Sequence, residues 1–355
     1  MDLVMNLIHP TNAPDWRNQW ELRRREQVSE ILKKLENISE LFEDMESEKE
    51  REEVMTYLRF ELANHASSYI LATVNDFTRS KAAVAAFAAS KNAEWFIPAY
   101  EVEFNALDQF NSGSFGSVHH FLNEVKIWHK LYHPNVVQLF GACHVGNPVF
   151  VCEYAGGGQL DEYLRAHPKE ILQKLYEAAL GLRYLHEKQV VHKDLKCNNI
   201  LIGNDGLAKL TDFGLSTLLA NPVLNKEEPE TELEDSEKPN VGAVRWKAPE
   251  VLEGENATLA SDVYSFGMCI LEAASGTFPW GKMLDAAIKH HVVKQKRIPQ
   301  CPENCDEDLY ELVKRMCRFD ASERIGMTEV VDVLDELRSY EDDEIKLQIN
   351  IEVSK

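Results

Sequence analysis

Three short motifs constrain this 355-residue chain more than any other feature. "HKDLKCNN" runs from His192 to Asn199, "DFG" from Asp212 to Gly214 and "APE" from Ala248 to Glu250, with "DVYSFG" following at 262–267. A lone D-F-G is weak evidence. Three motifs in this order restrict both the architecture and the chemistry.

The rest of the chain supplies the setting. Asp and Glu number 59 against 38 Lys and Arg, a formal net charge of -21. Such a chain repels nucleic acid and anionic membranes, so neither is expected as a partner. No window approaches the ~18 apolar residues of a membrane span, and "MDLVMNLIHP" lacks the basic start of a signal peptide. The seven cysteines are scattered without a C-x-x-C pair, which reads as reduced thiols in a cytoplasmic protein. His290, His291, Cys301 and Cys305 match no common zinc spacing and read as ordinary loop and core residues.

Residues 1–94 read as helical. Val28, Ile31, Leu35, Ile38, Phe42 and Met45 alternate steps of three and four, a seam along one helix face. The simple expectation is a small bundle. The sharper one is self-association or a helical partner through 28–62. Residues 95–102 read as a linker, with Pro98 breaking the helical pattern. "NPVFVCEY" at 147–154 reads as a buried strand. "NKEEPETELEDSEKPN" at 225–240 reads as a solvated acidic loop. The tail 338–355 is acidic, and the alternation in "IKLQINIEV" at 345–353 predicts an edge strand.

With the motifs in place, residues 103–337 resemble the protein kinases. "HPNVVQLFGAC" at 133–143, "RWKAPEV" at 245–251 and Lys196 make them look like the tyrosine-kinase-like Ser/Thr branch. The resemblance implies an α+β, two-lobe fold: a small lobe at 103–154 and a mainly helical large lobe at 155–337. It implies phosphoryl transfer from ATP, with Mg, to a protein hydroxyl.

The residue roles follow from the same resemblance. Asp194 is the candidate base for the acceptor hydroxyl, and Lys196 offsets charge on the moving phosphoryl group. Asn199 and Asp212 supply hard oxygens to Mg from two separate loops. Gly113 and Gly116 belong to a phosphate-cradling loop. Glu153 and Ala155 offer hinge backbone groups to the purine, and Val118 and Leu201 sandwich its ring. Glu124 suits the glutamate of the small-lobe helix. Glu250 and Arg324 match a buried ion pair, and Trp128, Leu139, His192 and Phe213 a hydrophobic spine based on Asp262.

One stretch departs from the pattern. Between Val118 and Glu124 stand only "HHFLN". The family places about thirty residues there, including the strand with the V-A-I-K lysine. Six extended residues reach about 20 Å and cannot form a strand, a turn, a second strand and a helix start. The small lobe is therefore expected to be truncated and the phosphate-orienting lysine missing. Three readings follow: a Ser/Thr kinase of impaired activity, a pseudokinase scaffold or adaptor, or a transcript that lost one exon.

Overall fold

The chain enters its first long described helix, α1, at Val118 and leaves it at Trp128. The computed structural model describes residues 56–57, 59–60, 93–98, 118–145, 148–213, 217–218, 243–302 and 306–353. Gly113, Gly116, the acidic stretch 225–240 and most of the helical seam expected over 28–62 lie outside them. Within that seam Thr56, Tyr57, Arg59 and Phe60 are described, and they are helical. The chain divides into two compact units, 1–125 with 139–152 and 126–138 with 153–355.

In the first unit, β1 (Leu139–Cys143) pairs antiparallel with β2 (Val149–Cys152). Phe96 bridges to Ala142 in parallel, with Ile97 N–H donating to Ala142 O at 3.0 Å. A Cβ on Gly141 would lie 2.8 Å from Trp95 O, so this backbone approach requires glycine. Aromatic rings fill the small core. Phe121 stacks on Phe150 at 4.6 Å, and Phe96 meets Phe60 at 5.9 Å and His144 at 5.5 Å. The strand expected at 147–154 is present as β2, but it is half-buried and its last residue, Cys152, is exposed. Among the described residues only β1 pairs with it.

The second unit is mainly helical. β3 (Gly158–Gln159) leads into α2 (Leu160–Ala166) and α3 (Ile171–Glu187). β4 (Val190–Val191), β5 (Ile200–Ile202), β6 (Ala208–Leu210) and β7 (Thr217–Leu218) follow as short strands. They form two small sheets, β3-β5-β6 and β4-β7. The later helices are α4 (Pro249–Leu252), α5 (Leu259–Ser275), α6 (Asp285–Lys289), α7 (Glu307–Met316) and α8 (Met327–Val353).

Helix α5 is the hub. Every residue from Ser261 to Ala273 is buried, as expected of a helix apolar on nearly all sides. A reciprocal Thr258–Ser261 capping box starts it, and Gly276 at φ 65° ends it. The loop before β1 docks on β6. Asn135 Nδ2 donates to Ala208 O at 2.9 Å, and Leu210 N–H to Asn135 O at 3.0 Å. Helix α3 passes close enough that a Cβ on Gly181 would sit 2.4 Å from Asn135 O.

The tail corrects the sequence expectation. Residues 345–353 continue α8 as helix and form no edge strand. No Gly or Pro follows Gly326, so nothing stops a helix already nucleated at Met327. Extending a formed helix costs far less than starting a strand, and local continuity outweighs the alternation.

Candidate active site

The site grows from a short hairpin and the loop that precedes it. Strands β5 and β6 pair antiparallel with Ile200 opposite Leu210. Thr211 N–H donates to Asn199 O at 3.0 Å, extending the ladder by one bond. The residues just outside the hairpin, Asn199 and Asp212, are thereby brought to the same end. Asp212 sits at φ 65°, a left-handed conformation uncommon for a non-glycine residue, and it is exposed.

The loop from His192 to Asn199 is anchored below by Asp262, near the start of α5 and 1 % exposed. Its carboxylate accepts from His192 N at 2.7 Å, Lys193 N at 2.9 Å and His186 Nε2 at 3.3 Å. That grip holds Lys193 at φ 72°. His192 is fully buried. Its Nε2 lies 2.9 Å from Thr211 O, and its Nδ1 accepts from Asp194 N at 3.4 Å. A carbonyl on one side and an amide on the other assign the proton to Nε2. Phe213 packs 5.4 Å from the His192 ring and 5.5 Å from Trp128, so imidazole and two aromatic rings form one tilted cluster under the loop.

Above this base, the structure brings Asp194, Lys196 and Asn199 together. Lys196 Nζ lies 2.7 Å from Asp194 Oδ2. Asn199 Nδ2 donates to Asp194 O at 2.7 Å and to Oδ2 at 3.0 Å. The carboxylate is thus oriented by a cation and an amide, and both donors converge on one of its oxygens. Because the Asn199 amide nitrogen is used on Asp194, its oxygen faces elsewhere and takes no hydrogen bond among the described residues. With Asp212, that gives two oxygen donors, the ligand type a hard cation takes. The residues present therefore fit Mg²⁺.

One support escaped the sequence analysis. Glu272, on α5 and 2 % exposed, accepts from Cys197 N at 3.0 Å and from Trp246 Nε1 at 2.9 Å. It ties the loop's 3₁₀ turn (Cys197–Asn199) to the turn at Ala243–Trp246. Burial pushes its carboxyl above the ordinary glutamate value, and the two donors only partly oppose that. A carboxylate inside the otherwise apolar "FGMCILEAA" was the available signal. Burial also pushes the Cys197 thiol well up, so it is a packing group and no nucleophile.

The remaining expected residues fall as follows. Leu201 lies on β5, opposite Lys209 and Gln159. Glu153 N donates to Gln138 O at 2.8 Å, and its side chain meets Lys209 Nζ at 2.7 Å. Lys209 also meets Asp205 at 2.8 Å. Its burial would lower its pKa, but bonds from Asp205 and Glu153 outweigh this and raise it. Ala155 is half-buried. Val118, expected to sandwich the purine ring with Leu201, is the first residue of α1, and Glu124 lies half-exposed within that helix. Arg324, its side chain fully buried, clasps Glu250 through two bonds of 2.7 Å.

A family model for protein tyrosine and serine/threonine kinases matches residues 106–334. The chain belongs to the protein kinase family. It is 32% identical over 223 residues to the serine/threonine/tyrosine-protein kinase HT1 of Arabidopsis thaliana, covering 61% of this chain and 54% of that protein. To the Arabidopsis serine/threonine-protein kinase STY46 it is 31% identical over 225 residues, covering 61% and 37%. To the tyrosine-protein kinase SRK3 of Spongilla lacustris it is 28% identical over 225 residues, covering 61% and 64%. The chain thus spans less than two thirds of these curated relatives. Among the described residues no helix is long and apolar enough to cross a membrane.

Proposed function

We propose that the chain is an ATP- and Mg-dependent protein kinase of the Ser/Thr class whose turnover is impaired. The observation that carries the transfer chemistry is the Asp194 carboxylate, oriented by Lys196 and Asn199 beside the exposed Asp212. One carboxylate oxygen is held by those donors, and the group accepts the proton of a substrate hydroxyl lined up for attack. Lys196 then stands where negative charge moves between phosphoryl oxygens and acceptor. When bound, Mg²⁺ supplies charge neutralisation on the phosphates. Asn199 and Asp212 are the residues that would hold it.

The impairment is argued from the sequence between Val118 and Glu124. Those five residues contain no lysine, and α1 begins at Val118 itself. The buried Lys209 is engaged by two carboxylates and does not substitute. Loss of the phosphate-orienting lysine removes positioning on which this reaction depends. The same absence favours a second reading, a pseudokinase scaffold that presents the large unit and its N-terminal helices to a partner.

The deciding measurement is transfer of labelled phosphate from Mg-ATP to generic Ser, Thr and Tyr peptides. Slow transfer to Ser and Thr, abolished in Asp194→Asn and accelerated by a family-typical segment inserted after His119, supports the kinase reading. No transfer in the inserted form, or equal transfer by Asp194→Asn, overturns the kinase reading.

A further inference from the structure

A groove of about 450 Å³ lies in the second unit, away from the Asp194 loop. Phe278, Trp280, Met283, Ile298 and Pro299 supply its apolar walls, with the His291 ring beside them and Arg297 as its cation. Phe278 is 52% exposed, and Leu284, just beyond, 78%. We propose that this groove docks an acidic segment of a partner protein, with an aromatic or aliphatic side chain as anchor. The proposal stands on the groove alone and holds whether or not the chain transfers phosphate.

Charge complementarity selects the occupant. Asp and Glu outnumber Lys and Arg by 59 to 38 across the chain. Yet from Ala286 to Pro302 there is no carboxylate; Arg297 lines the groove, and the exposed Lys294 and Lys289 lie within three residues of its lining residues Arg297 and His291, while Lys296 sits over the Phe319 ring. A cationic rim on an anionic protein acts at short range, because screening confines each charge to about 8 Å at physiological salt. Such a rim discriminates among partners and speeds encounter with acidic ones. Below it, the apolar walls give an anchor side chain a place to bury.

The groove is also built to hold its shape. Arg245 donates to Pro279 O at 2.9 Å and to Gly281 O and Met283 O at 2.8 Å, fixing the wall loop from behind. Trp246 packs edge-on against Phe278 at 5.7 Å. Trp280 is held at φ 69° and stacked on His291 at 5.9 Å, and its buried indole Nε1 has no acceptor among the described residues. His291 belongs to a single π-helical turn, His290–Lys294, a distortion that recurs at functional sites.

The test uses the full chain and a short fluorescein-labelled peptide of glutamates flanking a central Phe-Leu pair, read by anisotropy. Binding is expected to weaken about tenfold when the glutamates become glutamines, and again when Phe-Leu becomes Ser-Ser. The double variant Lys294→Glu/Arg297→Glu is expected to lose about tenfold at an unchanged melting temperature. Phe278→Ser provides an independent change in the apolar wall. Raising salt from ~50 to ~500 mM weakens the complex if the rim acts as argued. A glutamine peptide that binds equally well, or charge reversal that leaves affinity within about twofold, overturns the proposal. If the peptide binds only after residues 225–240 are deleted, the occupant is the chain's own acidic segment, and the partner assignment is overturned.

Discussion

Replacing Asp262 by alanine should unhook the Asp194 loop from α5. The carboxylate accepts from His192 N, Lys193 N and His186 Nε2 at 2.7, 2.9 and 3.3 Å, with 1 % of the residue exposed. Alanine leaves two backbone amides without acceptors in a buried place, at ~1–3 kcal/mol each. Against that, Lys193 is freed from φ 72°, recovering ~1–2 kcal/mol of backbone strain. The net loss is about 3 kcal/mol, and Asp262→Asn, which keeps one acceptor oxygen, should lose about half of it. Urea unfolding gives the free energy, and amide hydrogen exchange at His192 and Lys193 gives the location. Both amides should exchange far faster in Asp262→Ala. A loss below about 1 kcal/mol with unchanged exchange at those two amides would refute the idea that this carboxylate holds the loop.

Glu250→Gln leaves the fully buried Arg324 guanidinium without its counter-charge and should cost about 3–5 kcal/mol, measured by urea unfolding. Glu272 has a folded-state pKa above the ordinary 4.5, so the folded chain holds that proton more tightly than the unfolded chain. Its contribution to stability therefore declines as pH rises from about 4.5 through the raised folded value, and Glu272→Gln should flatten that decline in a series of melts at stepped pH. Lys209→Met removes the cation shared by Glu153 and Asp205. Asp205, held below the ordinary 3.8 by Lys209 and the Leu207 amide despite its partial burial, should then titrate higher by NMR.

Much of the site can be read from residue types alone, and some of it cannot. Asp194, Lys196, Asn199 and Asp212 stand out because a carboxylate, an ammonium and an amide fall within six residues, with a second carboxylate in the D-F-G motif, and backbone geometry allows few ways to use such a set. Glu272 does not stand out, because its task is to satisfy an amide and an indole 75 and 26 residues away. Only the fold brings those donors to it. Lys209 reads in sequence as a surface lysine, and its engagement with Glu153 depends on how β6 lies beside the segment after β2. The edge strand expected at 345–353 shows the opposite failure. A local alternation was genuine, but the helix running in from Met327 outweighed it.

The Arg324 cluster has a consequence for how the chain is made. One guanidinium gathers Glu250, Ala260 O, Arg318 O and Phe319 O, and its ion-pair partner precedes it by 74 residues. At about 5–20 residues per second, a ribosome needs roughly 4–15 s to travel from one to the other. Through that interval the Glu250 carboxylate has no cation to meet, and α4 and the start of α5 lack their clasp. The second unit therefore has no finished intermediate along its synthesis. It closes late, after Arg324 and the buried Met327, Val330, Val331 and Leu334 of α8 have been made, and a nascent chain stalled before Arg324 presents its unclosed segments to chaperones and proteases.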